Sequence, residues 1–150
     1  MKLHLGELDF NGRTVGKETR TEDLIENPAF RASLDDAGSI DIFNAARIPV
    51  DGCAFKVKIV CWDKKIRRIQ LTPLDVGMAD PGYPSEAFQA AKKKVCDEFL
   101  RAHLGEPSAE NESVLYYEFE WGNISSRIIL NGRSEYMGGF IEVNYERQRG

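Results

Sequence analysis

The sequence has few of the residues that build most catalytic and metal sites, with only 2 histidines and 3 cysteines among 150 residues. His4 falls in an early predicted strand and His103 in a last helical turn, where a cation complements the helix dipole. Neither has a second ligand at the spacing of a local chelate, and no zinc or EF-hand signature occurs. We therefore expect no metal and no cofactor. A nucleophile, base and orienting group are also not recognisable together, which favours a protein that is not an enzyme.

Glycine-rich phosphate loops and long apolar runs are missing too. Neither G-x-x-x-x-G-K-[ST] nor G-x-G-x-x-G occurs, and Gly138-Gly139 precedes a predicted strand, not a helix. No apolar run reaches the ~18 residues of a membrane helix, and the first residues lack the apolar region of a secretory signal. The formal net charge is -4, which disfavours general attraction to nucleic acid or anionic membranes. We expect a cytoplasmic protein that binds neither nucleic acid nor membranes.

The cysteines are odd in number, and none forms a C-x-x-C pair. Cys53, Cys61 and Cys96 each lie in an apolar stretch. Buried, reduced thiols that pack as small hydrophobic groups are favoured over metal binding or catalysis. This interpretation agrees with a reducing compartment.

What the sequence does contain is strong strand alternation. From Cys53 to Trp62, apolar residues alternate with Lys56 and Lys58, which predicts a strand with one buried and one wet face. Asp51-Gly52 before it is a hairpin signal, and 63–65 forms a second turn. The predicted result is a three-stranded meander, with strands over 39–48, 53–62 and 66–72.

The clearest helical periodicity follows Ser85, a candidate N-cap, and stops near Gly105, which suits the left-handed position after a helix. The prediction is a helix over 85–103, preceded by an irregular loop over 75–84 and followed by a polar loop over 106–112. Three more strands are predicted, over 113–121, 124–130 and 140–146, with turns at Gly122-Asn123 and Asn131-Gly132-Arg133.

The first fifty residues are less regular. A hairpin turn at Asn11-Gly12 is predicted between Leu3–Phe10 and Arg13–Val15, and a single helical turn over Thr21–Ile25. The whole chain is predicted to form one α+β domain over 1–150, an antiparallel sheet of about six strands with one long helix packed on one face.

The wet face of the sheet is the candidate interaction surface. Its residues are Lys56, Lys58, Arg68, Tyr116, Glu118, Glu120, Arg127 and Glu142. Opposite charges on neighbouring strands predict a mixed-charge, salt-bridged face whose carboxylates would repel phosphate. Strand alternation accounts for Glu118 and Glu120 without a catalytic pair. Trp121-Gly122-Asn123 is interpreted as a structural corner.

Four motifs mark the chain from about 53 to 146. They are Leu104-Gly105, the run from Tyr117 to Gly122, Ile124-Ser125-Ser126, and Ile141-Glu142-Val143-Asn144-Tyr145. Their order resembles a loose group of small, largely uncharacterised bacterial cytoplasmic proteins, some similar to the immunity proteins that neutralise polymorphic toxins. Where that group often has an Asp-Arg-like pair, this chain has Asn131-Gly132-Arg133-Ser134. The resemblance implies a layout and transfers no catalytic residues.

Three functions remain open from the sequence. The first is a non-catalytic protein-binding module such as an immunity-like toxin inhibitor, whose acidic surface would cover a basic nuclease site. The residues for that surface are Glu110, Glu112, Glu118, Glu120, Asp35 and Asp36. The second is a small-ligand-binding domain or enzyme, with a pocket between helix and sheet under the 75–84 loop. The third is a structural or homo-oligomeric subunit that pairs through an edge strand such as 140–146.

Overall fold

The computed structural model describes residues 1–34, 40–83, 85–130 and 138–145. Its first ordered element is a 3-10 turn at Leu3–Leu5. The strands and helices that follow are β1 (Leu8–Phe10), β2 (Arg13–Val15), α1 (Thr21–Ile25), β3 (Arg31–Ser33), β4 (Ile40–Val50), β5 (Cys53–Trp62), β6 (Lys65–Pro73), α2 (Glu86–Leu104), β7 (Ala109–Glu110), β8 (Val114–Phe119), β9 (Gly122–Ile129) and β10 (Gly138–Asn144).

The strands form an eight-stranded antiparallel sheet in the order β3-β4-β5-β6-β10-β9-β8-β7, and a separate two-stranded sheet of β1 and β2. The α+β class, the antiparallel sheet and the one long helix are confirmed. The expected count of about six strands is too low, because two short strands, β3 with 3 residues and β7 with 2, flank the six long ones. Strands this short carry too little alternation to be read from sequence.

The meander of β4, β5 and β6 forms as predicted, with tight turns between its strands. The first turn has positive φ at Asp51 and Gly52, and the second at Asp63 and Lys64. Turns with two positive φ angles match the twist of antiparallel strands, so they join β4 to β5 and β5 to β6 directly. Along β5, inward side chains are buried and Lys56 and Lys58 are exposed, as the alternation predicts.

Helix α2 differs from its predicted range by one residue at each end. Ser85 is the N-cap, since its Oγ accepts a hydrogen bond of 3.2 Å from the amide of Phe88. At the other end, Gly105 has φ 74° and its N–H donates to the carbonyl oxygen of Arg101 at 2.9 Å. The cap and the glycine therefore set the ends of the helix where the sequence placed them.

The inner face of the sheet is covered by two units. Helix α2 packs on β6, β9 and β10, while β1 contacts β4. Phe99 of α2 meets Phe55 edge to face, with ring centroids 5.3 Å apart. Phe10 and Phe43, both 0% exposed, belong to the same core. The first thirty residues thus supply the second half of the layer that buries the inner face.

Several predictions for individual segments are wrong. The turn before β9 lies at 120–121, because β9 already begins at Gly122. β7 lies inside the expected loop over 106–112. His4 lies in the 3-10 turn and not in a strand. The predicted break at Asn131-Gly132-Arg133 lies outside the described residues.

Strand β10 is not an edge strand. It pairs with β6 on one side and with β9 on the other. The expectation that 140–146 pairs with a second copy as an edge strand is therefore wrong, because residues 141–144 already pair with a strand on each side.

Candidate functional site

The outer face of the eight-stranded sheet lies on the side opposite α2, which contacts β6, β9 and β10 from the inner side. The burial pattern along β5 shows the contrast, since Phe55, Val57 and Ile59 are 0% exposed on the inner side. Lys56 and Lys58, between them, are exposed. A sheet with one solvated face shows this alternation.

Strand register aligns the outer side chains into rows. One row crosses all eight strands, through Arg31, Asn44, Lys58, Gln70, Glu142, Ser125, Tyr116 and Ala109. The next row runs through Ser33, Ile42, Val60, Arg68, Asn144, Asn123 and Glu118. Directly opposed residues lie about 4.5–5.5 Å apart, so each row forms a continuous line of neighbours.

These rows bring together most of the predicted interaction surface. The residues on the outer face are Lys56, Lys58, Arg68, Tyr116, Glu118, Arg127 and Glu142. The remaining predicted residue, Glu120, lies in the turn between β8 and β9 and is exposed there. The sequence placed these side chains on one face correctly because each alternates with buried neighbours.

The charges on this face are unevenly distributed, and the expected salt bridges are not found among the described residues. The outer residues of β3 to β6, here called the basic half, include the cations Arg31, Lys56, Lys58 and Arg68 and no carboxylate. The outer residues of β7 to β10, here called the acidic half, include the carboxylates Glu118 and Glu142 and the cation Arg127.

The strand order explains why Lys58 and Glu142 do not pair. Along the first row, Gln70 lies between Lys58 and Glu142. Two strand spacings separate the cation from the carboxylate, which is about 10 Å between their backbones. Sequence alternation shows which face of the sheet a residue occupies. It does not show that an uncharged residue of a third strand lies between Lys58 and Glu142.

The basic half is concave. A cavity of about 350 Å³ is lined by Ser33, Ile42, Asn44, Lys56, Lys58, Gln70 and Thr72. A second cavity, of about 220 Å³, is lined by Ile40, Val60, Trp62, Arg67, Arg68 and Asn144. The first offers ammonium, amide and hydroxyl groups, while the second adds an indole ring. Both can receive groups from a partner that carries negative charge.

The acidic half holds its polar groups through local hydrogen bonds. The hydroxyl of Tyr116 donates to the Glu118 carboxylate, and this bond, with burial, raises the pKa of Tyr116. Arg127 Nε donates to Ser125 Oγ at 2.8 Å. The Glu118 amide donates to Ser108 Oγ at 2.9 Å. These contacts fix the side chains without neutralising Glu142.

The acidic residues expected to contact a toxin do not form one surface. Glu110 accepts a hydrogen bond of 2.7 Å from Arg101 of α2, on the side away from the outer face. Glu112 lies in a loop, and only Glu118 is on the outer face itself. Asp35 and Asp36 lie outside the described residues.

The cysteine thiols and His103 of α2 have surroundings typical of residues with a structural role. Cys53, Cys61 and Cys96 are free; Cys61 and Cys96 are buried as predicted, whereas Cys53 is only half-buried. Burial raises the pKa of Cys61 to about 11 and that of Cys96 to about 12, so both are protonated at neutral pH and are poor nucleophiles. His103 Nε2 lies 2.8 Å from Asp51 Oδ2. Among the residues that the structure describes, no group of three His, Cys, Asp or Glu could hold a metal ion.

Cys96 and Leu100, both 0% exposed, pack into the interface between α2 and the sheet, where a pocket was expected. A cleft of about 430 Å³ lies elsewhere, against Trp121 and the segment from Leu5 to Asp23. Trp121 stacks on Phe119 with centroids 5.2 Å apart, and its Nε1 donates to the His4 carbonyl oxygen at 3.1 Å.

The cleft was missed from the sequence. His4 and Trp121 are separated by 117 residues, so no local spacing indicates their contact. The only available signal was the corner Trp121-Gly122, which the structure shows packed between Phe119 and Tyr145. Trp121 is therefore a structural corner that also forms one wall of a cleft.

The chain matches no protein-family model, and no curated protein or solved structure is significantly similar to it. Within the described residues, none of the helices has the length and apolar character needed to cross a membrane.

Proposed function

We propose that this protein is a non-catalytic protein-binding module that holds its partner against the outer face of the sheet, the role of an immunity-like toxin inhibitor. The observation that carries the proposal is the outer face on which eight strands align, with charged side chains that have no counter-ion among the described residues. Lys58, Arg68 and Glu142 form no ion pair with another described residue.

Unpaired charges of both signs suit a partner that supplies their complements. Charges arranged by sign steer a complementary surface into one orientation and raise the association rate. A face that had neutralised its own charges would offer neither effect. The half that carries only cations, beside one that holds Glu118 and Glu142, therefore supports specific protein binding over a solvated face with no role.

The edges of the sheet offer less to a second copy of the chain. The edge strands β3 and β7 have 3 and 2 residues. Short edge strands are a common way of limiting edge-to-edge pairing. The open face is thus a better candidate than an edge for binding, and the homo-oligomeric alternative has less support.

The proposed setting is the bacterial cytoplasm. The three free thiols support a reducing compartment. The proposed bacterial origin and the immunity-like role rest on the motif order described above.

The test uses the product of the gene adjacent to this one, since an inhibitor of this class is expected beside its toxin. The purified product is titrated into this protein by calorimetry. The charge-reversal variants are Lys56→Glu/Lys58→Glu and Glu118→Lys/Glu142→Lys, and the matched control is Lys94→Glu, an exposed lysine on α2. At least one outer-face variant should bind about tenfold or more weakly, with Lys94→Glu unchanged. No binding, or equal binding by all variants, contradicts the proposal.

The Trp121 cleft favours a second candidate function, the binding of a small cationic ligand. Glu7, Glu18 and Asp23 line it together with Lys17 and the indole of Trp121. Carboxylates and an aromatic ring attract ammonium and guanidinium groups. Titration with spermidine or arginine, followed by tryptophan fluorescence, should saturate in the wild type and weaken in Glu7→Gln/Glu18→Gln. A signal that does not saturate, or that is equal in both proteins, removes this candidate.

A further inference from the structure

We infer that the partner occupies the basic half with an acidic, extended protein segment that places an apolar side chain on Trp62. This inference rests on the proposed function and adds to it the chemistry of the partner and its position on the face.

The charge of the basic half differs from that of the whole chain. The protein has 24 acidic and 20 basic residues, for a formal net charge of -4. On the outer side of β3 to β6, however, the charged residues of the rows and of β5 are all cations: Arg31, Lys56, Lys58 and Arg68. Such a region creates a local positive potential on an otherwise acidic protein. The partner surface that complements it is therefore acidic.

An apolar ledge adjoins these cations. Trp62 lies opposite Ile40, and Val60 lies opposite Ile42, all on the outer side of β4 and β5. Trp62 is 49% exposed and Ile40 is 44% exposed. Arg68 lies opposite Val60 and completes the ledge. Tryptophan and arginine are the residues most enriched at the energetic centres of protein interfaces, so this ledge is a suitable anchor point.

Strand β5 connects the ledge to the lysines. Its outward residues are, in order, Lys56, Lys58, Val60 and Trp62. At about 3.3 Å per residue, this line extends about 20 Å, which an extended segment of about six residues can follow. The two cavities lie along it, one beside the lysines and one beside Trp62. Acidic residues of the segment would face the lysines, and an apolar residue would face Trp62.

A nucleic acid is less compatible with the same surface. Sheet surfaces that read single-stranded RNA stack bases on aromatic residues of the central strands. Here the central positions of the first row are Lys58, Gln70 and Glu142, and the Glu142 carboxylate would repel phosphate. The experiment below therefore also measures the binding of an RNA oligonucleotide.

The probe is a fluorescein-labelled ten-residue peptide of alternating glutamate and leucine. The corresponding peptide of alternating lysine and leucine, and a ten-nucleotide oligouridine, are measured in the same way as comparison probes. Binding is measured by fluorescence anisotropy at low salt and mapped by amide chemical shifts. The glutamate–leucine peptide should bind with a Kd below about 1 mM, and its shifts should map to β4, β5 and β6.

The variants separate charge from the apolar anchor. Lys56→Glu/Lys58→Glu should weaken binding about tenfold or more, and Trp62→Ala about fivefold or more, whereas Lys94→Glu should match the wild type. Ile40→Lys tests the same ledge independently of Trp62. Circular dichroism and thermal unfolding establish that each variant is folded before its affinity is compared.

Several results would overturn the inference. The first is that the glutamate–leucine peptide does not bind. The second is that the lysine–leucine peptide or oligouridine binds equally well or more tightly. The third is that the amide chemical-shift changes lie outside β4 to β6. Failure here is distinguishable from failure of the proposed function. If only Glu118→Lys/Glu142→Lys weakens binding of the adjacent-gene product, the partner occupies the acidic half. The proposed function then stands without this inference. If neither outer-face variant affects binding of the adjacent-gene product, both the proposed function and this inference fail.

Discussion

The phenolic hydroxyl of Tyr145 donates a hydrogen bond of 2.6 Å to the carbonyl oxygen of Gly6, which lies 139 residues earlier. The bond joins the end of β10 to the turn before β1. Tyr145 also contacts Trp121, with ring centroids 5.4 Å apart, and Trp121 in turn donates to the His4 carbonyl oxygen. Two long-range hydrogen bonds therefore attach the N-terminal segment to the sheet.

Replacing Tyr145 by phenylalanine should lower the free energy of unfolding by about 1–3 kcal/mol, because the Gly6 carbonyl loses its donor while the ring still excludes water. Urea unfolding measures the change. Tyr83→Phe is the control, since Tyr83 is 66% exposed, and it should match the wild type. Equal stability of both variants would show that the hydrogen bond is energetically neutral.

Alkaline pH should weaken the same contact. Burial, followed by the nearby Glu7 carboxylate, raises the pKa of Tyr145 above its ordinary value. A raised pKa means that the unfolded chain loses the proton first. The contribution to stability is therefore complete below the ordinary value near 10 and is lost as pH rises towards the raised value. The stability gap between wild type and Tyr145→Phe should narrow as the pH rises above about 10. A gap independent of pH would contradict this assignment.

Gly139 allows α2 to approach β10 closely. A Cβ atom there would lie 2.7 Å from the Gln89 carbonyl oxygen and 3.0 Å from the Lys93 amide nitrogen. Gly139→Ala should lower stability by about 1–3 kcal/mol, because helix backbone has to move. Gly138→Ala is the matched control, since its Cβ would meet only Phe140 at 3.4 Å. Thermal unfolding compares the two, and similar melting temperatures would contradict the close approach.

Ser125 and Ser126 are adjacent, both 0% exposed, and differ in their hydrogen bonds. Ser125 Oγ accepts from Arg127 Nε, whereas Ser126 Oγ has no partner among the described residues. Ser125→Ala should cost about 1 kcal/mol, and Ser126→Ala should be neutral or slightly stabilising. Chemical denaturation of the two variants tests this order. The reverse order would show that the Ser126 hydroxyl has a partner in solution.

Much of the fold follows from local patterns. Cys53–Trp62 was predicted to the residue because five inward apolar positions alternate along it. Helix α2 was predicted to within one residue at each end because a capping serine and a terminal glycine mark its ends. The edge strands β3 and β7 were missed because they are too short to show alternation. The Trp121 cleft was missed because its walls come from opposite ends of the chain.

The sequence by itself determined which face of each strand Lys58, Arg68, Glu118 and Glu142 occupy, since a strand turns successive side chains to opposite sides. Only the tertiary structure decided which of them are neighbours. β10 inserts between β6 and β9, so Gln70 separates Lys58 from Glu142, and these two charges do not pair. Alternation is a property of one strand, whereas strand order depends on pairings across long stretches of chain, which local spacing does not encode.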